Sequence, residues 1–460
     1  MLTESYFSSV SGPPLTNNTA IAKDAGIYEH TLHPSHSTPS TFKKSSVPRN
    51  GLAVSETHVF AAQDEKSTVH VYARARGNQE AVVTFPERIR SVFLQGDVLF
   101  LGTQEGRIIV WEVCTGRQVT TPACHIQAVT CLAGTPFHLL TGSDDSNVHV
   151  WSVARLRELD PTIEHEPART LSHHRAAVTS LAAGPSANPD TSLCVSASSR
   201  DKSCIVWNHQ QGVALRTLLF ASPPLCVALD PCARALYAAS EDGSVYAVDL
   251  FASAETTTMT MPSLLGGEES ASATMIPISS AFGAAPQQET GPAACLAVSY
   301  DGTVLLSGHP RGQILRWDLS TRADSTELVN LNAAVTNLVF VPPLSPNTTT
   351  TTTRPVAVVK PFLGSRTYNF TAQLTGDITT TTTIGGSGDT RFAKMMNTRG
   401  FPAESLQQAI LALQQPAADG VAGDQELRTE NEELWEIINE QRALQKKTLE
   451  RYIEAKSTNA

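Results

Sequence analysis

HIQAVTCLAGTPFHLLTGSDDSNVHVWSV, residues 125–153, holds the repeat unit of this chain. A run with alternating apolar residues, AVTCLAG, leads through the turn signal GSDDSN into a second run that ends at Trp151. Apolar residues at every second position give the period of a strand, whose successive side chains point to opposite faces. Asp, Ser, Asn and Gly clusters between such runs are turn chemistry. The same ending recurs in TQEGRIIVWEV at Trp111, SRDKSCIVWNH at Trp207 and HPRGQILRWDL at Trp317. Two degenerate copies share the frame: QDEKSTVHVY, with Tyr72 in the Trp position, and SEDGSVYAVDL, with Val248 there. From Tyr72 onward the endings fall 39, 40, 56, 41 and 69 residues apart. The upstream strand repeats as well. HIQAVTCLAG aligns without a gap with HRAAVTSLAA at 174–183, and LNAAVTNLVF at 331–340 keeps its core.

Three of those spacings match the roughly 40–45 residues of a four-stranded propeller blade, and the two long ones contain insertions. A four-stranded sheet with two apolar faces cannot bury either face alone, whereas radial stacking buries both. The expected architecture is therefore all-β: a seven-bladed β-propeller closed by N- and C-terminal strands, followed by a C-terminal α-helical, coiled-coil-like tail. A weaker blade ending lies in IAKDAGIYEH, near Tyr28 or Glu29, and two strand-like runs after Trp317, AAVTNLVF and PVAVVKPF, lack a Trp ending. The expectation is that residues 333–362 supply the inner strands of a shared blade whose outer strands come from 4–30. That gives seven blades, or eight if the N-terminal segment is not a blade ending.

The repeat resembles the WD-repeat family. In that family a histidine ahead of the first strand, a hydroxyl residue, a turn aspartate and the Trp form a hydrogen-bonded tetrad within one blade. The resemblance assigns these roles to His125, Thr141, Asp145 and Trp151. The next blade offers His174, Asp201 and Trp207, with Ala197 standing where the hydroxyl should be. Glu105 replaces the aspartate before Trp111 and Arg311 replaces it before Trp317, which points to blades held mainly by apolar packing.

The expected domains are 1–365 for the propeller, with flexible insertions at 254–292 and 347–355, then a low-complexity linker at 366–403, then a helical segment at 404–456. ESLQQAILALQQ makes a short amphipathic helix that stops at Pro416, and 424–456 is a stronger one, free of Gly and Pro. Leu427, Leu434, Ile437 and Leu444 fall at heptad-like positions, flanked by Ile438, Leu449 and Tyr452. The stripe can pack on its own propeller, or pair with another chain as a dimer or docked partner helix. A linker that lets the helix leave the propeller favours pairing.

The 460 residues carry 34 Lys+Arg against 44 Asp+Glu, a net charge of -10, which opposes binding nucleic acid through the overall field. Eight cysteines form neither a CxxC pair nor a zinc spacing and read as buried thiols of a reducing compartment. Met1–Val10 lacks the pattern of a signal peptide, and no run of about 18 apolar residues suggests a membrane span. An intracellular, soluble protein without membrane partners is expected. No Walker loop, GxSxG, HExxH or GxGxxG occurs. His30, His33 and His36 lie in a Ser/Thr/Pro-rich stretch that reads as a solvated loop. The chain is thus expected to be no enzyme, with no cofactor, metal or catalytic residue.

Three stretches, TQEGRIIVWEVCTGR, LTGSDDSNVHVWSVARL and above all ENEELWEIINEQRALQKKTLERYI, resemble the WD-repeat subunits of the pre-60S ribosome-maturation complex. These form the third member of the "Involved in Processing of the second Internal transcribed spacer" group. The resemblance covers roughly 1–365 and 424–455. It implies a nuclear scaffold, nucleolar to nucleoplasmic, acting in pre-rRNA processing and large-subunit assembly. It further implies a homodimer through the tail, a helical-repeat scaffold subunit as partner, and docking on the pre-60S particle beside its remodelling ATPase. Direct RNA contact stays open. Two other classes share the architecture: a substrate receptor of a ubiquitin ligase, and a vesicle-coat or signalling propeller.

Overall fold

The computed structural model describes residues 4–12, 25–33, 35–158, 165–184, 192–250, 274–278, 281–284, 290–321, 325–341 and 357–361. These residues form seven antiparallel sheets, the blades of a closed ring. Blade one takes its innermost strand, Ala334–Val341, from the end of the ring, and Ser5–Ser11, Ala25–Thr31 and Ser37–Lys43 from its start. Blade two comprises Leu52–Val54, His58–Ala62, Thr68–Ala73 and Asn78–Thr84. Blade three comprises Ile89–Gln95, Val98–Thr103, Ile108–Glu112 and Gln118–Thr120. Blade four comprises Val129–Gly134, His138–Ser143, Val148–Ser152 and Arg169–Leu171.

Blade five contains Ser180–Ala183, Leu193–Ser198, Ser203–Asn208 and Val213–Phe220, with Thr274–Ile278 added in parallel as a fifth strand. Blade six contains Pro224–Leu229, Ala235–Ser240, Ser244–Asp249 and the short Gly283–Ala284. Blade seven contains Cys295–Val298, Val304–Gly308, Gln313–Asp318 and Thr326–Asn330.

Two expectations need correction. The shared blade is built from one C-terminal strand and three N-terminal ones, not two and two. PVAVVKPF contributes no strand to it; its described part, residues 357–361, lies against blade three. His30 and His36 belong to blade one and not to a solvated loop: His30 is fully buried, and His36 stacks on it at 5.5 Å. The insertion 254–292 also yields two strands, one on blade five and one on blade six. The segment 347–355, the linker 366–403 and the helical segment 404–456 lie outside the described residues.

Strand alternation builds the core. In the second and third strands of blade three, Leu99, Leu101, Ile109 and Trp111 face blade two, while Val98, Phe100, Ile108 and Val110 face blade four. Every neighbouring pair of blades shares one such apolar cluster, seven clusters in all, including the closing one between blades seven and one. Trp111, Trp151, Trp207 and Trp317 each pack toward the preceding blade and are at most 1% exposed. At two second-strand glycines the neighbouring blade comes too close for a side chain. A Cβ on Gly102 would sit 2.7 Å from Val129 of the next blade, and one on Gly308 2.6 Å from Val335.

Ring closure rests on the pairing of Ser5–Ser11 with Ala334–Val341, seven residue pairs with a bulge at Ser9/Val10. Phe7, fully buried beside Phe42, Tyr72 and Val341, anchors the adjoining cluster. Phe7→Ala should cost about 3–5 kcal/mol, the usual penalty for emptying an aromatic core site. Equilibrium denaturation in urea, read by far-UV circular dichroism, measures it.

Candidate functional site

The ring has two ends. One, here the upper, carries the loops that lead from the outermost strand of one blade to the innermost strand of the next. The residues assigned to the tetrad of blade four meet there. The indole N–H of Trp151 donates to Thr141 Oγ1 at 3.1 Å, and Thr141 Oγ1 lies 2.8 Å from His125 Nε2. His125 Nδ1 lies 3.0 Å from Asp145 Oδ2. Donor logic sets the direction: indole to hydroxyl, hydroxyl to Nε2, and Nδ1–H to carboxylate. Burial pushes the Asp145 carboxyl up, but His125 and the backbone N–H groups of Asn147 and Ile126 outweigh it and hold it at about 2.

In blade five the relay is complete, and the hydroxyl is Ser196, not missing at Ala197. Trp207 donates to Ser196 Oγ at 2.8 Å, Ser196 Oγ lies 2.7 Å from His174 Nε2, and His174 Nδ1 lies 3.3 Å from Asp201. The turn is one residue longer than in blade four, since Ser198 pairs with Ser203 whereas Ser143 bonds to Asn147. Counting ten residues back from the Trp, as in blade four, therefore lands one position late.

Blade seven keeps the relay without an aspartate. Trp317 donates to Ser307 Oγ at 2.8 Å, Ser307 faces His309 Nε2 at 3.0 Å, and His309 Nδ1–H reaches the Gly291 carbonyl at 2.9 Å. Blade one carries a related chain, Ser8 to His30 to Thr38, at 2.8 and 3.1 Å. Polar relays are thus present in four blades, including blade seven, where Arg311 in the aspartate position points to mainly apolar packing. Only blade three, with Leu101 in the hydroxyl position opposite Ile109, gives its Trp no hydroxyl.

The axis of the ring encloses a cavity of about 460 Å³, lined by the inner strands of all seven blades. Among the described residues Arg49 is the single charged side chain on its wall. The loop Val47–Asn50 caps the upper mouth. Arg49 Nη2 reaches the carbonyls of Leu225 at 3.1 Å and Ala294 at 2.6 Å, on blades six and seven. Asn50 Nδ2 donates to Thr130 O of blade four, and the Val92 amide of blade three donates to Asn50 O. Thr336 and Asn337 of blade one bond to Val47 O and Pro48 O. One tetrapeptide entering blade two therefore ties five other blades together. Asn50 sits at φ 58, a left-handed conformation Asn tolerates better than most residues. Only the short polar stretch KSSVPRNG ahead of the blade marked it in the sequence.

None of the eight cysteines forms a disulfide; burial raises Cys131 and Cys226 to about 12, far from nucleophilic thiolates at neutral pH. Among the described residues no three His, Cys, Asp or Glu side chains gather as a metal site. No helix among them is long and apolar enough to cross a membrane. Leu427, Leu434, Ile437, Ile438 and Leu444 of the expected pairing helix lie outside the described residues.

The family model of the WD domain, G-beta repeat, matches residues 116–152 and 165–208, the sequence of blade four and most of blade five. The chain is similar to the pre-rRNA-processing protein crb3/ipi3 of Schizosaccharomyces pombe, 25% identical over 67% of this chain and 73% of that protein. It is similar to the pre-rRNA-processing protein IPI3 of Yarrowia lipolytica, 28% identical over 62% and 64% respectively. Human WD repeat-containing protein 18 is 28% identical over 63% of this chain and 64% of its own length. The chain therefore spans about two thirds of the length of the curated relatives it matches.

Thr141→Val should cost about 1–3 kcal/mol, because it leaves the Trp151 N–H and a ring nitrogen of His125 buried without a partner. Thermal unfolding of the variant beside the parent checks this. Burial holds His30 near 3 and His149 and His209 near 4, against an ordinary 6.5. The unfolded chain binds protons that the folded chain refuses, so stability is full above about 6.5 and declines as pH falls toward 4. Melting temperature should be level from pH 7 to 8 and drop steadily between pH 6 and 4.

Proposed function

We propose that this WD-repeat propeller, which is similar to the IPI3 proteins and WD repeat-containing protein 18, is a non-catalytic scaffold subunit in pre-rRNA processing and large ribosomal subunit assembly. One observation carries the reading: the relatives it matches along most of its ring in two yeasts are both named pre-rRNA-processing proteins. The chemistry agrees with a scaffold. The polar groups with unusual environments, Asp145, His174 and His309, are spent on intra-blade hydrogen bonds, and a rigid ring with seven buried seams presents loops at both ends for partners.

In finer detail, the protein works in the nucleus, from nucleolus to nucleoplasm, at removal of the second internal transcribed spacer. The segment 404–456 pairs two copies through Leu427, Leu434, Ile437, Ile438 and Leu444. The propeller holds a helical-repeat subunit of the same complex, and the assembly engages the pre-60S particle near its remodelling ATPase. The apolar stripe and the acidic-basic flanks of the tail support the pairing.

Light scattering coupled to size exclusion should give twice the monomer mass for the full chain and a monomer when residues 424–460 are removed. Affinity capture of the full chain from a nuclear extract should return pre-60S assembly factors and unprocessed spacer RNA. Recovery of ubiquitin-ligase adaptors in their place would overturn the reading.

A further inference from the structure

Trp111 is fully buried, and a buried indole N–H needs an acceptor. In blades four, five and seven the acceptor is a hydroxyl of the neighbouring strand, at Thr141, Ser196 and Ser307. In blade three that position is Leu101, and the Trp111 N–H instead donates to the carbonyl of Val359 at 3.1 Å, across 248 positions of sequence. The Val359 amide in turn donates to Val113 O at 2.9 Å. Val358 packs on the core shared by blades two and three, and Pro361 is buried, while Ala357 and Lys360 face solvent. Gly116 makes the room: a Cβ there would lie 2.6 Å from Val359 Cγ1 and 3.0 Å from Lys360 O.

A bound segment whose main chain both donates, to Val113 O, and accepts, from the Trp111 indole, together with two apolar anchors and a glycine floor, has the elements of an extended-peptide site. We infer that the lower crevice of blade three, formed by Trp111, Val113, Gly116 and the adjoining core, is a peptide-binding site. Its ligand class is an extended Val-Val-x-Pro segment, and the chain's own residues 358–361 occupy it in cis. Leu101 in the hydroxyl position is then the mark of the site, because loss of the internal acceptor frees the indole to read a ligand's backbone. This goes beyond the scaffold reading and does not depend on it.

The test uses the full chain and the synthetic peptide PVAVVKPF, residues 355–362. In the parent, amide 359, which donates to Val113 O, should be protected from hydrogen exchange at least tenfold over a free peptide, and added peptide should not bind. In Val358→Asp/Val359→Asp, the Trp111 indole signal in 15N-edited spectra should shift, and added peptide should bind and restore it. A scrambled peptide should do neither, and Trp111→Phe in the same background should weaken binding several-fold. Free-peptide exchange at 359 in the parent overturns the proposal even if the double variant does not fold. So does a folded double variant with an unmoved Trp111 signal, or one that ignores the peptide.

Discussion

Everything in this molecule depends on the pairing of Ser5–Ser11 with Ala334–Val341. A blade with apolar residues on both faces is stable only between two neighbours, so a row of seven would leave two greasy ends in water. The closing pair removes both ends at once. It does so by joining segments more than three hundred residues apart, and nearly all other sheet contacts wait on local hairpins that form far more readily. The three-plus-one division of blade one places three N-terminal strands behind the single C-terminal one, so the seam falls next to the axis, where the inner strands of all blades crowd together.

Within the blades, a hydroxyl–histidine–oxygen relay recurs although its residues differ. Asp145 and Asp201 terminate it in two blades, the Gly291 carbonyl does so in a third, and Thr38 does so in blade one. What each histidine of these relays requires is an acceptor for Nδ1–H, and any oxygen at the right place satisfies it. This is why Arg311 can stand at the usual aspartate position without leaving blade seven unsatisfied.

The fold was legible because tryptophan endings and AVT-x-L strands recur with a blade-length period that only radial stacking of sheets explains. Finer features escaped for physical reasons. Ser196 was missed since a turn longer by one residue shifts the frame of the second strand but not of the third. PVAVVKPF has the composition of a strand, yet its backbone partner is an indole and a strand end on a distant blade, a pairing that alternation cannot announce. The strands at Thr274–Ile278 and Gly283–Ala284 lie in a stretch rich in Ser, Thr, Ala and Gly, whose weak apolar signal is sufficient only because blades five and six already offer open edges. The sequence around Arg49 does not set it apart from a surface cation; its reach to blades six and seven depends on seven inner strands converging, which no local pattern encodes.

The cap formed by Val47–Asn50 also sets the charge of one entrance. A guanidinium anchored to carbonyls on the far side lies across that opening. Whatever approaches the hollow from there meets an exposed positive charge before it meets the inner strands.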